Sequence, residues 1–206
     1  MEPMPKALGL TCKNIACFME KIPTIFDRNW DTDRKVNDKL LVSDFDFDQA
    51  IATEKLDGTN VRVTVRSHMA VRLEKRRNPD KNQKAQGIVD PWYVDADPGD
   101  KGDAYIFEAL KNTDFSTVPD GEWSAEALGE KIQGNPLQLQ GHTLFFFSLP
   151  EWRARIVFEN VPTDFEALKQ WLPEQKTKFG NGSGIEGIVW HHPASGRMCK
   201  IKVKDF

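Results

Sequence analysis

The chain has no run of apolar residues approaching the roughly 20 that a helix needs to cross a bilayer. Its start, Met1-Glu2-Pro3-Met4-Pro5-Lys6, lacks the layout of a secretory signal. A reducing, cytoplasmic setting is therefore expected. Cysteine is scarce: Cys12, Cys17 and Cys199 are too few and too scattered for a disulfide framework or a zinc site. No lipidation signal or internal repeat is visible. Positive charge is not in excess either. A net charge of −3 excludes a generally basic nucleic-acid coat, so any polyanion would have to be held by a local patch. What remains is ordinary globular composition over 206 residues, enough to bury a full core in one domain.

The most informative segment is Glu54-Lys55-Leu56-Asp57-Gly58-Thr59-Asn60. Gln49–Thr53 ahead of it reads as an extended entry. Behind it, Val61, Val63 and Val65 alternate with Arg62, Thr64 and Arg66, the period of a half-buried strand. A lysine thus stands where one strand ends and a glycine turn follows. Held neutral by desolvation or by nearby positive charge, its amine could act as a nucleophile. The plain alternative is a β-turn in which Asp57 bonds its own backbone, Gly58 supplies a positive φ and Lys55 is solvated.

Elsewhere, Lys21–Phe26 reads as a strand, followed by a polar stretch from Asp27 to Lys39. The alternation Asp44-Phe45-Asp46-Phe47-Asp48 suggests an edge strand or a loop with aromatic anchors. The glycine and terminal glutamate of a calcium loop are missing. Arg72, Lys75, Arg76, Arg77, Lys81 and Lys84 form a basic run that is either a solvated face or a polyanion patch. Residues 78–101, rich in Pro, Asp and Gly, read as a long mobile excursion. Gly121–Leu128 and Leu144–Leu149 read as strands. Thr163-Asp164-Phe165-Glu166 reads as a capping box opening a helix. Ile185–Trp190 and Met198–Val203 form a hairpin around His191–Gly196. Lys200 and Lys202 share one face of its second strand. Glu186 is either a strand-end surface residue or a buried, paired one. His191 and His192 alone are weak metal evidence.

Taken in order, Glu54–Asn60, Ser124-Ala125-Glu126-Ala127-Leu128-Gly129, Ile185-Glu186-Gly187-Ile188-Val189-Trp190 and Lys200-Ile201-Lys202 resemble motifs I, III, IV and V of the covalent nucleotidyltransferases. That superfamily contains the ATP-dependent DNA and RNA ligases and the mRNA capping guanylyltransferases. Asn60 makes the first motif similar to the T4 RNA ligase 2 type. Lys21-Ile22-Pro23, Gly134-Asn135-Pro136 and Ile185–His191 look closer still to the eukaryotic 5′-3′ RNA ligase 1 family.

The resemblance implies an α+β, ATP-grasp-like nucleotidyltransferase domain of antiparallel sheets flanked by helices. It would occupy residues 1–206 as one domain, without a C-terminal OB-type module. It implies an RNA ligase that joins 5′-phosphate and 3′-hydroxyl RNA ends through a lysyl-AMP intermediate, using ATP and Mg2+, with Mn2+ able to substitute. Lys55 would carry AMP. Glu54 would meet the adenine edge, Glu126 the ribose hydroxyls, and Asp57 would support the lysine or metal beside Gly58. Arg72 would contact phosphate or ribose. Lys200 and Lys202 would hold the α-phosphate and lower the pKa of Lys55, and Glu186 would anchor the metal. Lys75, Arg76, Arg77, Lys81 and Lys84 would follow the RNA backbone. A nick-sealing DNA ligase, a capping guanylyltransferase and a non-catalytic nucleic-acid-end sensor are the alternatives. The intact lysine and glutamate set argues against the last.

Overall fold

A computed structural model of the chain describes residues 21–182 and 184–206. Cys12, Cys17 and the N-terminal start Met1–Lys6 lie outside them. The architecture is α+β: antiparallel sheets with a few short helices packed against them.

One sheet has five strands in the order β6-β5-β4-β7-β8. These are β4 (Thr59–Arg66), β5 (Met69–Arg77), β6 (Trp92–Asp95), β7 (Gly121–Gly129) and β8 (His142–Phe145). Val61, Val63 and Val65 are fully buried, as their alternation predicts. They pack with Leu73, Ala125, Leu144 and Phe146 beneath the helix α2 (Ala104–Lys111), which contributes Ile106 and Ala109. The second sheet has the order β11-β10-β3-β9, built from β3 (Ile51–Glu54), β9 (Val157–Phe158), β10 (Gly187–His191) and β11 (Met198–Lys202). Its core joins Ile188, Trp190 and Ile201 to Leu168 of α4 (Phe165–Trp171) and to Leu172 of the 3₁₀ turn Leu172–Glu174 that follows it. The expected hairpin is present, with Ile188 opposite Ile201.

Several elements differ from the sequence reading. The first strand, β1, is Phe26–Arg28 and pairs with β2 (Val36–Leu40), inside the stretch read as merely polar. Residues 23–25 instead run beside β11, through the bridge between Thr24 and Lys200. The excursion at 78–101 contains α1 (Lys81–Ala85) and β6, which adds a strand to β5. The aromatic strand stops at Phe145, because the chain turns into α3 (Pro150–Ala154). Helix α4 is capped one residue later than the box pattern predicts: the carboxylate of Asp164, rather than the Thr163 hydroxyl, accepts from the Ala167 N–H at 3.0 Å. For Asp44–Asp48, by contrast, one of the two expected forms holds: it is a loop with aromatic anchors. Its Phe45 and Phe47 rings pack on each other, Phe47 packs on Trp190, and Asp44 binds Arg197.

The decisive feature is the crossing between sheets. β3 belongs to the four-stranded sheet and β4 to the five-stranded one, so Lys55-Leu56-Asp57-Gly58 is the strap that joins them. The Lys55 N–H donates to the Gly187 carbonyl at 2.8 Å, which extends the β3–β10 ladder up to that strap.

Candidate functional site

Two glycines let the strap and the hairpin close on their neighbours. Gly58 does not have the positive φ expected of a turn glycine. A side chain there would instead run into the Ala127 carbonyl, Leu128 Cδ2 and Glu126 Cγ of β7. Gly187 is pressed in the same way against Ile201 and Lys202 of β11. These close approaches set Lys55, Glu126, Glu186 and Lys202 around one space.

Glu186 stands between the two lysines. Its Oε2 accepts from Lys55 Nζ at 2.6 Å and its Oε1 from Lys202 Nζ at 2.5 Å. The Glu186 side chain is 12% exposed, so of the two readings left open by the sequence the buried, paired one holds. Burial works against its charge, but Lys55 and Lys202 outweigh it and keep its pKa below the ordinary glutamate value. Lys55 is therefore flanked by a carboxylate as well as by cations. Asp57 is also near: burial first, then the Glu186 charge, raise its pKa against Lys55, Lys202 and Lys204. Lys200 is half-buried, and burial, then Lys202, Lys55 and Arg76, push it down to about 8.

Lys55, Lys200 and Lys202 line a cavity of about 270 Å³ whose walls come from both sheets. Thr53, Glu54, Val189, His191, Lys200 and Lys202 come from the four-stranded sheet, and Asn60, Arg76 and Glu126 from the other; Phe147 and Ile156 lie between. Glu54 is 2% exposed; its Oε2 accepts from the Lys178 N–H at 2.7 Å, whereas Oε1 has no hydrogen-bond partner. Burial raises its pKa, opposed by the Thr177 hydroxyl and the Lys178 and Phe179 amides. Burial likewise pushes Glu126 up to about 7, although Lys55, Asn60 and Arg76 oppose it. Glu126 Oε2 accepts from Asn60 Nδ2 at 3.4 Å, and Asn60 Oδ1 accepts from the Tyr93 hydroxyl at 2.7 Å. His191 sits 3.0 Å from the Thr53 hydroxyl, and burial, then Arg153, push it down to about 4.

The basic run does not form one surface. Strand β5 carries Arg72 to Arg77 and sends alternate residues to opposite faces. Arg76 enters the cavity, and its buried Nε has no hydrogen-bond partner. Lys75 faces the core side and binds Asp103 of the α2 N-terminus through both carboxylate oxygens, at 2.5 and 2.6 Å. Arg72 is outside the cavity lining and binds Asp95 at 2.7 Å and Glu74 at 3.3 Å. Arg77, Lys81 and Lys84 are exposed. The reading by sequence did not set Arg76 apart from its neighbours and gave no part to His191, Tyr93 or Phe147. The parity of β5 is the signal that would have separated Arg76 from Lys75.

Among the described residues no group of three or more His, Cys, Asp or Glu is placed to hold a metal ion, and no helix is long and apolar enough to cross a membrane.

No protein-family model matches the chain, and no curated protein matches it by sequence. Solved structures of a Naegleria gruberi RNA ligase do superpose on it in part. The form with pyrophosphate gives a TM-score of 0.47 at 15% identity, over 93% of this chain and 61% of that one. A mutant with AMP and manganese gives 0.43 at 16% identity, over 75% and 49%. Another with ATP and manganese gives 0.43 at 15%, over 76% and 52%. The chain thus spans about half to three-fifths of the length of these ligases. At TM-scores below 0.5 this likeness carries no weight on what Lys55 or Glu186 does.

Proposed function

We propose that the chain is the nucleotidyltransferase unit of an ATP-dependent RNA ligase, similar to T4 RNA ligase 2 and closer to the eukaryotic 5′-3′ RNA ligase 1 family. The observation that carries the reading is Glu186 ion-paired to both Lys55 and Lys202, two lysines that line a cavity together with Arg76, Lys200, the buried Glu54 and the partly buried Glu126. Cations placed this way suit a chain of phosphates, and the unpartnered Glu54 oxygen suits a base amine.

In the first step the neutral Lys55 amine forms a P–N bond to the α-phosphorus of ATP. The α–β bridging P–O bond breaks, pyrophosphate leaves and the amine proton passes to solvent. Lys200, Lys202 and Arg76 stabilise the charge on the transferring group. Mg2+, or Mn2+ in its place, would be held by Glu186 with water and phosphate oxygens and would neutralise phosphate charge. Glu126 and Asn60 face the ribose. AMP then passes to an RNA 5′-phosphate, and a 3′-hydroxyl displaces it. Arg77, Lys81 and Lys84 serve the RNA backbone, whereas Lys75 is committed to Asp103 and Arg72 to Asp95 and Glu74. A reducing, cytoplasmic setting belongs to the same proposal.

The test is intact-mass measurement after incubation with ATP or GTP and Mg2+, followed by joining assays on 5′-phosphorylated RNA and nicked DNA. An AMP adduct absent in Lys55→Ala is expected, with RNA joined. A GMP adduct instead would indicate a capping guanylyltransferase, and sealing of DNA alone a DNA ligase. No adduct with retained end-binding would leave an end sensor.

A further inference from the structure

Behind Lys202 two segments distant in sequence meet. Arg28, the last residue of β1, donates from Nη2 to Asp205 Oδ1 at 2.6 Å. Asp205 lies in the 3₁₀ turn Val203–Asp205 and is 4% exposed. Its other oxygen, Oδ2, accepts the backbone N–H of Lys202 at 2.9 Å. Both carboxylate oxygens are therefore engaged, one by a cation and one by the main chain of a lysine that reaches Glu186.

The neighbouring lysine is fastened by the same N-terminal segment. Ile25 N–H donates to the Lys200 carbonyl at 3.0 Å, and Lys200 N–H to the Pro23 carbonyl at 2.9 Å. Arg28 is itself fixed, since Nη1 donates to the Arg34 carbonyl at 2.9 Å. The turn is held from outside by Lys35, whose Nζ donates to the Lys204 carbonyl at 2.9 Å. A continuous line of contacts thus runs from Arg28 through Asp205 to Lys202, then through Glu186 to Lys55.

We infer that Arg28 and Asp205 are positioning residues for phosphoryl transfer at Lys55, acting through Lys202. The inference rests on the nucleotidyltransferase reading and deepens it. A cation stabilises a phosphoryl transition state only if its position is fixed before the reaction, and a long side chain on a strand end is fixed by its backbone and its last partner. Asp205 supplies the first constraint and Glu186 the second. A buttress that served only the fold would change stability without changing the rate of folded protein.

The experiment uses the full chain and Asp205→Asn, which keeps the side-chain shape. Single-turnover adduct formation is measured over a range of ATP concentrations, alongside a melting curve. The saturating rate of folded Asp205→Asn should fall on the order of 10-fold or more, with little change in the ATP concentration giving half that rate. In a Lys202→Ala background the same change should have no further effect, because the two act in series. Arg28→Lys, which keeps the cation, should restore part of the rate that Arg28→Ala removes.

A second measurement needs no nucleotide. Lysines are reductively methylated with carbon-13 and followed by NMR; the Lys202 signal should move in Asp205→Asn while that of Lys111 stays. Wild-type adduct with an unchanged rate in Asp205→Asn overturns the positioning role alone, as do independent effects in the double variant or an unmoved Lys202 signal. No wild-type adduct together with a displaced Lys202 signal overturns the ligase reading instead, and with it any catalytic part for Asp205.

Discussion

Replacing Lys200 with methionine should make the protein more stable and its adduct-forming activity much weaker. Lys200 is half-buried among Lys202, Lys55 and Arg76, and burial first, then those cations, hold its pKa at about 8 against 10.5. At neutral pH the side chain is charged in the folded and unfolded states alike, so the fold bears the whole penalty of keeping it charged there. At about 1.4 kcal/mol per pH unit that penalty is roughly 3 kcal/mol, and solvent screening at a half-buried side chain reduces it to about 1–2 kcal/mol. Methionine keeps the apolar stem and removes the charge. The sign then follows from proton binding. Between pH 8 and 10.5 the folded form releases the proton while the unfolded chain retains it, so wild-type stability rises with pH across that window. The advantage of Lys200→Met should be largest at pH 7 and shrink as pH rises through 8 toward 10.5. Urea unfolding of both proteins at pH 7, 8.5 and 10 measures it, and intact mass measures the adduct. A variant that is less stable at pH 7, or whose advantage is independent of pH, would show that Lys200 is not held against its own charge.

Glu126 is raised by burial to about 7, so the folded state binds its proton between about pH 7 and 4.5 and the unfolded state does not. The acid limb of adduct formation should therefore break near pH 7 and be absent from the residual rate of Glu126→Gln, as read from a pH–rate profile. Gly58→Ala would push a methyl group into the Ala127 carbonyl and Leu128; it should cost roughly 1–3 kcal/mol in urea unfolding, and a neutral result would remove the close-approach argument. Glu186→Ala and Lys202→Ala should each lower the adduct rate on the order of 100-fold in single-turnover measurement, and wild-type rates in both would mean the pocket is misplaced. Changing Lys81 and Lys84 to glutamine should make log K for RNA shallower against log salt by roughly 0.7 for each phosphate no longer neutralised, by fluorescence anisotropy, while adduct formation stays unchanged.

Much of the frame was legible in the sequence because its signals are local. Val61, Val63 and Val65 alternate, and that alternation alone places one face of β4 in the core. The β10–β11 hairpin carries its pattern on both arms, with Ile188 opposite Ile201. What escaped depends on partners far along the chain. β6 is a short strand among Pro, Asp and Gly, and it exists because β5 offers an edge to pair with. The run from Arg72 to Arg77 reads as one cationic patch by charge alone, and only strand parity divides it. The pleat sends Arg76 into the cavity and Lys75 down to Asp103, 28 residues away. Nothing near Arg28 in the sequence announces a carboxylate 177 positions later.

The pairing of Glu186 bears on how the site would start its work. In an ion pair with Glu186 the Lys55 nitrogen has no lone pair to offer, so attack requires that this pairing be given up. Loss of Glu186 from a half-buried lysine pair would leave like charges together, which is unfavourable unless a new anion arrives. On the proposed reading the nucleotide would provide it: its phosphate oxygens would meet Lys200, Lys202 and Arg76, and Glu186 would then be available to hold a divalent cation that neutralises phosphate charge. On that proposal the same carboxylate would serve two states: without nucleotide it keeps the two lysines from repelling each other, and with nucleotide it would be available to the metal. This makes Glu186→Gln informative in a way that Glu186→Ala is not. The amide keeps the shape and still accepts a hydrogen bond, but it no longer balances two charges. The variant without nucleotide should therefore be less stable than wild type at low ionic strength, and the difference should shrink as salt screens the lysines. A stability difference that is the same at low and high salt would mean that Glu186 holds the strands by shape, with no part in managing charge.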